Sequence, residues 1–164
     1  MRNIHLFIFV LIFVQSCSAQ KNKITDNSCK QYKVLDSLKF IAFPNDNYSF
    51  SGNTVFKSIV KEKPTINNCL IEKIKDTTDS DIRIADSFNY KIGDVAFLLL
   101  PYVSTDKKIN LREIMIEEFK DYVKEDRENI QFESLFYNVL HGNSSNKNLK
   151  NRLRLHKKIK EYFK

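Results

Sequence analysis

A single, mostly α-helical domain with at most one small β-hairpin is the fold predicted for this chain, on three observations. The first is the stretch YKIGDVAFLLLPYV from Tyr90 to Val103, the most apolar run outside the first twenty residues. Six apolar residues from Val95 to Leu100 follow one another there, which predicts a helix with no solvent face, enclosed by the rest of the domain. The second is glycine: the 164 residues contain only three, too few for the many tight turns of a sandwich or barrel, or for a glycine-rich phosphate loop. The third is periodicity, since apolar residues recur near every 3.6 positions along most of the chain and every second position over a sustained stretch between Ile82 and Ile92.

Residues 1–19 read as a signal peptide. Arg2 precedes an unbroken apolar run from Leu6 to Val14, too short to span a bilayer, and QSCSAQ follows with small residues. Two processing routes compete. Val14, Gln15 and Ser16 before Cys17 resemble a bacterial lipoprotein box, with Cys17 the lipidated residue, whereas Ala19 before Gln20 suits ordinary signal peptidase. Both predict an exported protein, periplasmic or anchored in the cell envelope by its lipid. Residues 20–27 are polar and read as a tether, leaving 28–164 as the helical domain.

Ser28 and Gln31 have capping-box spacing, and Val34, Leu35, Leu38, Ile41 and Ala42 predict a first helix to about Phe43, before Pro44. Tyr48 and Phe50 alternate with serines as a short extended piece. Asn53 then caps a helix bearing Val55, Phe56, Ile59 and Val60. Pro64 suits the first turn of the next helix, with Ile66, Cys69, Leu70 and Ile74 on its apolar face and DTTDSD as its polar end. Ile82, Ile84, Phe88, Tyr90 and Ile92 alternate with polar residues, as in a hairpin turning at Asp86 and Ser87.

In the central helix, Gly93 offers a free backbone turn, Asp94 either caps or sits in the first turn beside the positive end of the dipole, and Pro101 limits its length. Asn110 and Glu113 cap a long helix with Leu111, Ile114, Met115, Phe119, Tyr122 and Val123 on one face. Asn129 begins another, bearing Phe132, Leu135, Phe136, Val139 and Leu140, with Gly142 as its C-terminal cap. GNSSN is a loop. The last helix runs from about Asn146 to the end, with Leu149, Leu153, His156, Ile159, Tyr162 and Phe163 toward the core.

Cys29 and Cys69 form one potential disulfide, which an oxidising envelope would permit; two unrelated thiols are the alternative. A thiol in the first turn of a helix also feels the dipole, so Cys29 carries a second reading as a reactive thiolate. His141 and His156 have no cysteine, histidine or carboxylate at ligand spacing, and both read as structural. Asp76, Asp79, Asp81 and Asp86 suggest calcium by density alone, but they miss the EF-hand spacing and lack its glycine, so a solvated loop is preferred. Glu117, Glu118, Asp121, Glu125, Asp126 and Glu128 read as the outer face of a helix, interleaved with lysines. No nucleophile elbow, zincin or paired-cysteine motif occurs, so no catalytic residue, metal or cofactor is expected.

Charge is the most specific surface signal. Residues 146–164 hold eight basic residues against Glu161 alone, so the net charge of +7 resides in the terminal helix. Arg152, Arg154, Lys157 and Lys158 become the candidate contacts for an acidic protein partner. A soluble outer face is the bland alternative. Nucleic acid is not expected, because export removes it and no arginine–aromatic interleaving is present.

The segments CLIEKIKDTTDSD and YKIGDVAFLLL resemble a HEAT-type helical hairpin, with Leu70, Ile71, Ile74 and Asp76 matching its first half and Asp94, Val95, Ala96 and Leu99 its second. They are also similar to small uncharacterised bacterial exported proteins. The HEAT resemblance implies a short helical stack that binds other proteins, and it transfers no catalytic residue. Non-enzymatic partner binding in the envelope is therefore the expected function. A periplasmic immunity protein against a secreted toxin and an enzyme of unknown class are the alternatives.

Overall fold

The computed structural model describes residues 26–41, 53–84, 88–105, 108–123 and 129–164. The signal region with Cys17, the tether up to residue 25, the extended piece at Tyr48 and Phe50, the turn at Asp86 and Ser87, and Glu125, Asp126 and Glu128 lie outside them. Helices α1 (Asp26–Cys29), α2 (Thr54–Lys61) and α3 (Asn67–Lys73) precede an antiparallel hairpin of β1 (Asp79–Ile84) and β2 (Phe88–Lys91). Helices α4 (Ile92–Val103), α5 (Leu111–Glu118), α6 (Phe132–Leu140) and α7 (Ser145–Tyr162) follow, and 3-10 helices occupy Lys33–Phe40 and Lys120–Tyr122. The fold is mostly helical with one small hairpin, as the periodicities require.

Helix α4 is the centre of the core. Val95, Ala96, Phe97, Leu99, Leu100 and Val103 are buried, and one apolar cluster around them takes residues from every later helix. Pro101 lies inside α4 and the helix continues two residues beyond it. Gly93 is required for space: a Cβ there would stand 2.3 Å from the carbonyl oxygen of Ile74 and 2.8 Å from that of Asp76. Its own N–H donates to the latter oxygen over 2.9 Å, so α4 starts pressed against the end of α3.

Three expectations are corrected. Asp26 and Asn27, expected in the tether, already belong to α1, and the first predicted helix is this short α1 followed by a 3-10 segment. Leu35, Leu38 and Ile41 are buried at intervals of three, a spacing that suits 3-10 turns better than α turns. The segment after α3 is partly strand: Asp79–Asp81 belong to β1, and Ser80 is buried. The long helix from Leu111 ends at Glu118, where Phe119 leaves helical geometry with φ −114° and ψ 44°. Arg154 from α7 accounts for that end by donating to the Glu118 carbonyl over 2.6 Å and lying 4.7 Å over the Phe119 ring.

Two of the predicted caps hold, while Ser28, read as an N-cap, lies inside α1. Asn53 accepts from the Phe56 N–H at 3.0 Å and Asn110 from that of Glu113 at 3.2 Å. At α6 the N-cap is Gln131, not Asn129, and His141 takes the C-cap position just before Gly142.

Candidate functional site

The geometry that decides how the surface can be used lies on α7. Its buried face is turned by roughly a quarter revolution from the apolar face expected of it. Asn151, Arg152, Leu155 and Ile159 point inward, while Leu149 and Leu153 are 44% and 47% exposed. The cause is hydrogen bonding. Helix α6 ends inside the molecule with carbonyls that need donors, and α7 supplies them. Asn151 Nδ2 donates to the Val139 carbonyl and the Tyr122 hydroxyl, each at 2.7 Å, and Asn148 Nδ2 donates to the Gly142 carbonyl at 2.8 Å. Arg152 Nη2 reaches the Leu140 carbonyl at 3.4 Å. Two leucines are left outside so that these polar side chains can enter.

Arg152 also donates through Nη1 to Asp94, which is fully buried in the first turn of α4. The same carboxylate accepts from His141 Nε2 at 2.9 Å and from the Lys91 N–H at 2.7 Å. The N-terminal end of α4 thus meets the C-terminal end of α6, with an anion at the positive pole and cationic or donor groups at the negative one. Burial pushes the Asp94 carboxyl upward, but the His141 hydrogen bond and the Arg152 charge outweigh it and hold it below the usual aspartate range. Asp94 is therefore ionised, with Arg152, His141 and the Lys91 N–H as its donors.

A second cluster joins α3 to α7. Glu72 contacts Lys75 at 2.9 Å, Lys160 at 2.6 Å and His156 Nε2 at 3.2 Å. Burial raises its carboxyl, yet hydrogen bonds from Lys160 and Lys75 and the charge of His156 bring it down to about 2. Burial lowers His156 below its ordinary value, against the pull of Glu72.

The four proposed contact residues separate. Arg152 is 2% exposed and is withdrawn from any surface role, because an arginine sealed between Asp94 and Leu140 cannot meet a partner. Arg154 bridges to Glu118 and Asp121, and Lys158 pairs with Glu117 at 3.1 Å. Lys157 remains outward, its side chain 79% exposed and 4.0 Å from Glu161. Lys150 and Lys164 are exposed too, as is Lys147, whose ammonium lies 4.6 Å over the Tyr122 ring. The outward side of α7 therefore combines Lys150 and Lys157 with Leu149 and Leu153.

Cys29 and Cys69 are joined in a disulfide, which ties α1 to α3 and removes the reactive-thiolate reading. Asp76 caps its own turn, accepting from the Thr78 N–H at 3.0 Å and pairing with Lys73, while Asp79 pairs with Lys91. No group of three or more metal-ligating side chains is gathered among the described residues. No helix among them is long and apolar enough to cross a membrane.

The Asp94–His141–Arg152 cluster escaped the sequence reading because its members are 47 and 58 positions apart. One signal pointed to it: an aspartate embedded in the most apolar segment needs a buried cation. Comparison of the chain with protein families, with curated proteins and with solved structures finds no match.

Proposed function

We propose that this is a non-enzymatic protein of the cell envelope that binds an acidic partner protein through the outward side of α7. The observation that carries the proposal is the division of that helix. Its inward side is occupied in closing α6 and α4, while its outward side presents exposed Lys150 and Lys157 beside exposed leucines. Exposed leucines beside exposed lysines give that side both apolar contact area and charge that attracts an acidic partner. The Cys29–Cys69 bond supports export, since disulfides persist in oxidising compartments, and so does the signal-like start with Cys17 or Ala19 at its cleavage sites.

The non-enzymatic reading is supported by how the deeply buried ionisable cluster among the described residues is used. Asp94, His141 and Arg152 have side chains 0%, 7% and 3% exposed, and Asp94 joins the other two, which holds α4 to the end of α6 and to α7. The helical body would then serve as a scaffold.

The test is a pull-down from envelope extract at low and high salt, using the mature protein and a Lys150→Gln/Lys157→Gln variant. A partner held at low salt, released at high salt and missed by the variant is the expected result. Recovery of the same proteins by both, or of none, would reduce the outward side of α7 to a solvated face.

A further inference from the structure

The outward side of α7 is specific enough in shape and charge to indicate what kind of element covers it. We infer that the partner docks there with an acidic amphipathic helix lying along α7, an inference that rests on the partner-binding reading above. Leu149, Leu153 and Lys157 follow one another at intervals of four and form a ridge, with Lys150 beside it. Such ridges fit the grooves of another helix. An extended peptide would gain much less, because the amides in the body of α7 are already bonded within the helix and offer no sheet edge to pair with.

Charge favours an acidic occupant. Glu161 is the only acid in α7, whereas Lys150 and Lys157 flank the leucines and Lys147 and Lys164 lie toward its two ends. A helix with leucines on one side and glutamates at its margins would match both features. A lipid surface fits less well, since interfacial binding scales with buried apolar area and this face offers two leucines in line with Asn146 and Glu161.

The probes are an acidic peptide of about 20 residues with its leucines on one helical face, and a permuted peptide of the same composition that cannot form such a face. Vesicles of phosphatidylcholine with about 30% phosphatidylglycerol supply the lipid arm. The amphipathic peptide should bind the mature protein roughly tenfold tighter than the permuted one, the scale set by covering two half-exposed leucines. Leu149→Gln/Leu153→Gln should erase that difference, and Lys150→Gln/Lys157→Gln should weaken both peptides. These positions are exposed, and circular dichroism checks that each variant stays folded. Equal binding of the two peptides, lost in the lysine variant, overturns the helix as occupant and leaves the acidic-partner reading standing. Binding of neither peptide overturns both, and vesicle binding in that case assigns the face to lipid.

Discussion

Replacing Asp94 by asparagine removes the charge that Arg152 and His141 share and keeps the side chain's size. The Arg152 guanidinium would then be left almost wholly buried with neutral acceptors only, the asparagine amide oxygen and the Leu140 carbonyl at 3.4 Å. Leaving one member of a buried ion pair uncompensated costs about 3–5 kcal/mol. For a chain of this size each kcal/mol lowers Tm by about 2–4 °C, so a fall of roughly 6–20 °C is expected. Arg152→Met should cost a similar amount, because Asp94 keeps only the Lys91 N–H and His141. The double variant should be less destabilised than the sum of the singles by about 2 kcal/mol, since no unpaired charge remains. Urea unfolding followed by circular dichroism, with the disulfide intact, measures all four corners of this cycle. Single variants that each lose under about 1 kcal/mol, and whose effects simply add, would refute the buried lock.

Three further outcomes follow from the same contacts. Gly93→Ala should destabilise by about 1–3 kcal/mol in urea unfolding, because a Cβ 2.3 Å from the Ile74 carbonyl forces α4 away from α3. Reducing the Cys29–Cys69 bond, 40 residues apart in sequence, should lower stability by about 4 kcal/mol on the chain-entropy model, with alkylation and mass measurement confirming both thiols.

Acid should weaken the fold. Asp94 and Glu72 are held below their ordinary values of 3.8 and 4.5, so their contribution is present above those values and is lost as pH falls through the lower, folded ones. His156 is held below 6.5, so its protonation also favours the unfolded chain and the loss begins there. A urea midpoint that rises on acidification from pH 6.5 to pH 3 would reverse this sign. Glu72→Gln should flatten the most acid part of the curve.

The sequence was legible where one local rule decided the outcome. Asn53 and Asn110 cap the helices they precede, period two marks the hairpin, and six consecutive apolar residues mark the buried helix. It was illegible where a distant donor or acceptor overruled local pattern. Helix α5 ends at Glu118 because Arg154, 36 residues later, takes its last carbonyl. Helix α7 turns Leu149 and Leu153 outward because the end of α6 needs Asn148, Asn151 and Arg152 as donors, a demand no helical wheel contains. Counting the basic residues of α7 placed the charge correctly along the chain but not around the helix. Arg152 is inside, and Arg154 and Lys158 meet acids of the same molecule. Gly93, read as a free turn, is needed for close approach to α3.

Amine labelling of the mature protein, alone and with the envelope fraction used for the pull-down, tests most directly whether the outward side of α7 meets a partner. Labelling at Lys150 and Lys157 should drop when the partner is present, while Lys158, already paired with Glu117, changes little. Unchanged labelling at Lys150 and Lys157 while a partner is bound, or protection confined to residues elsewhere on the surface, would contradict the account.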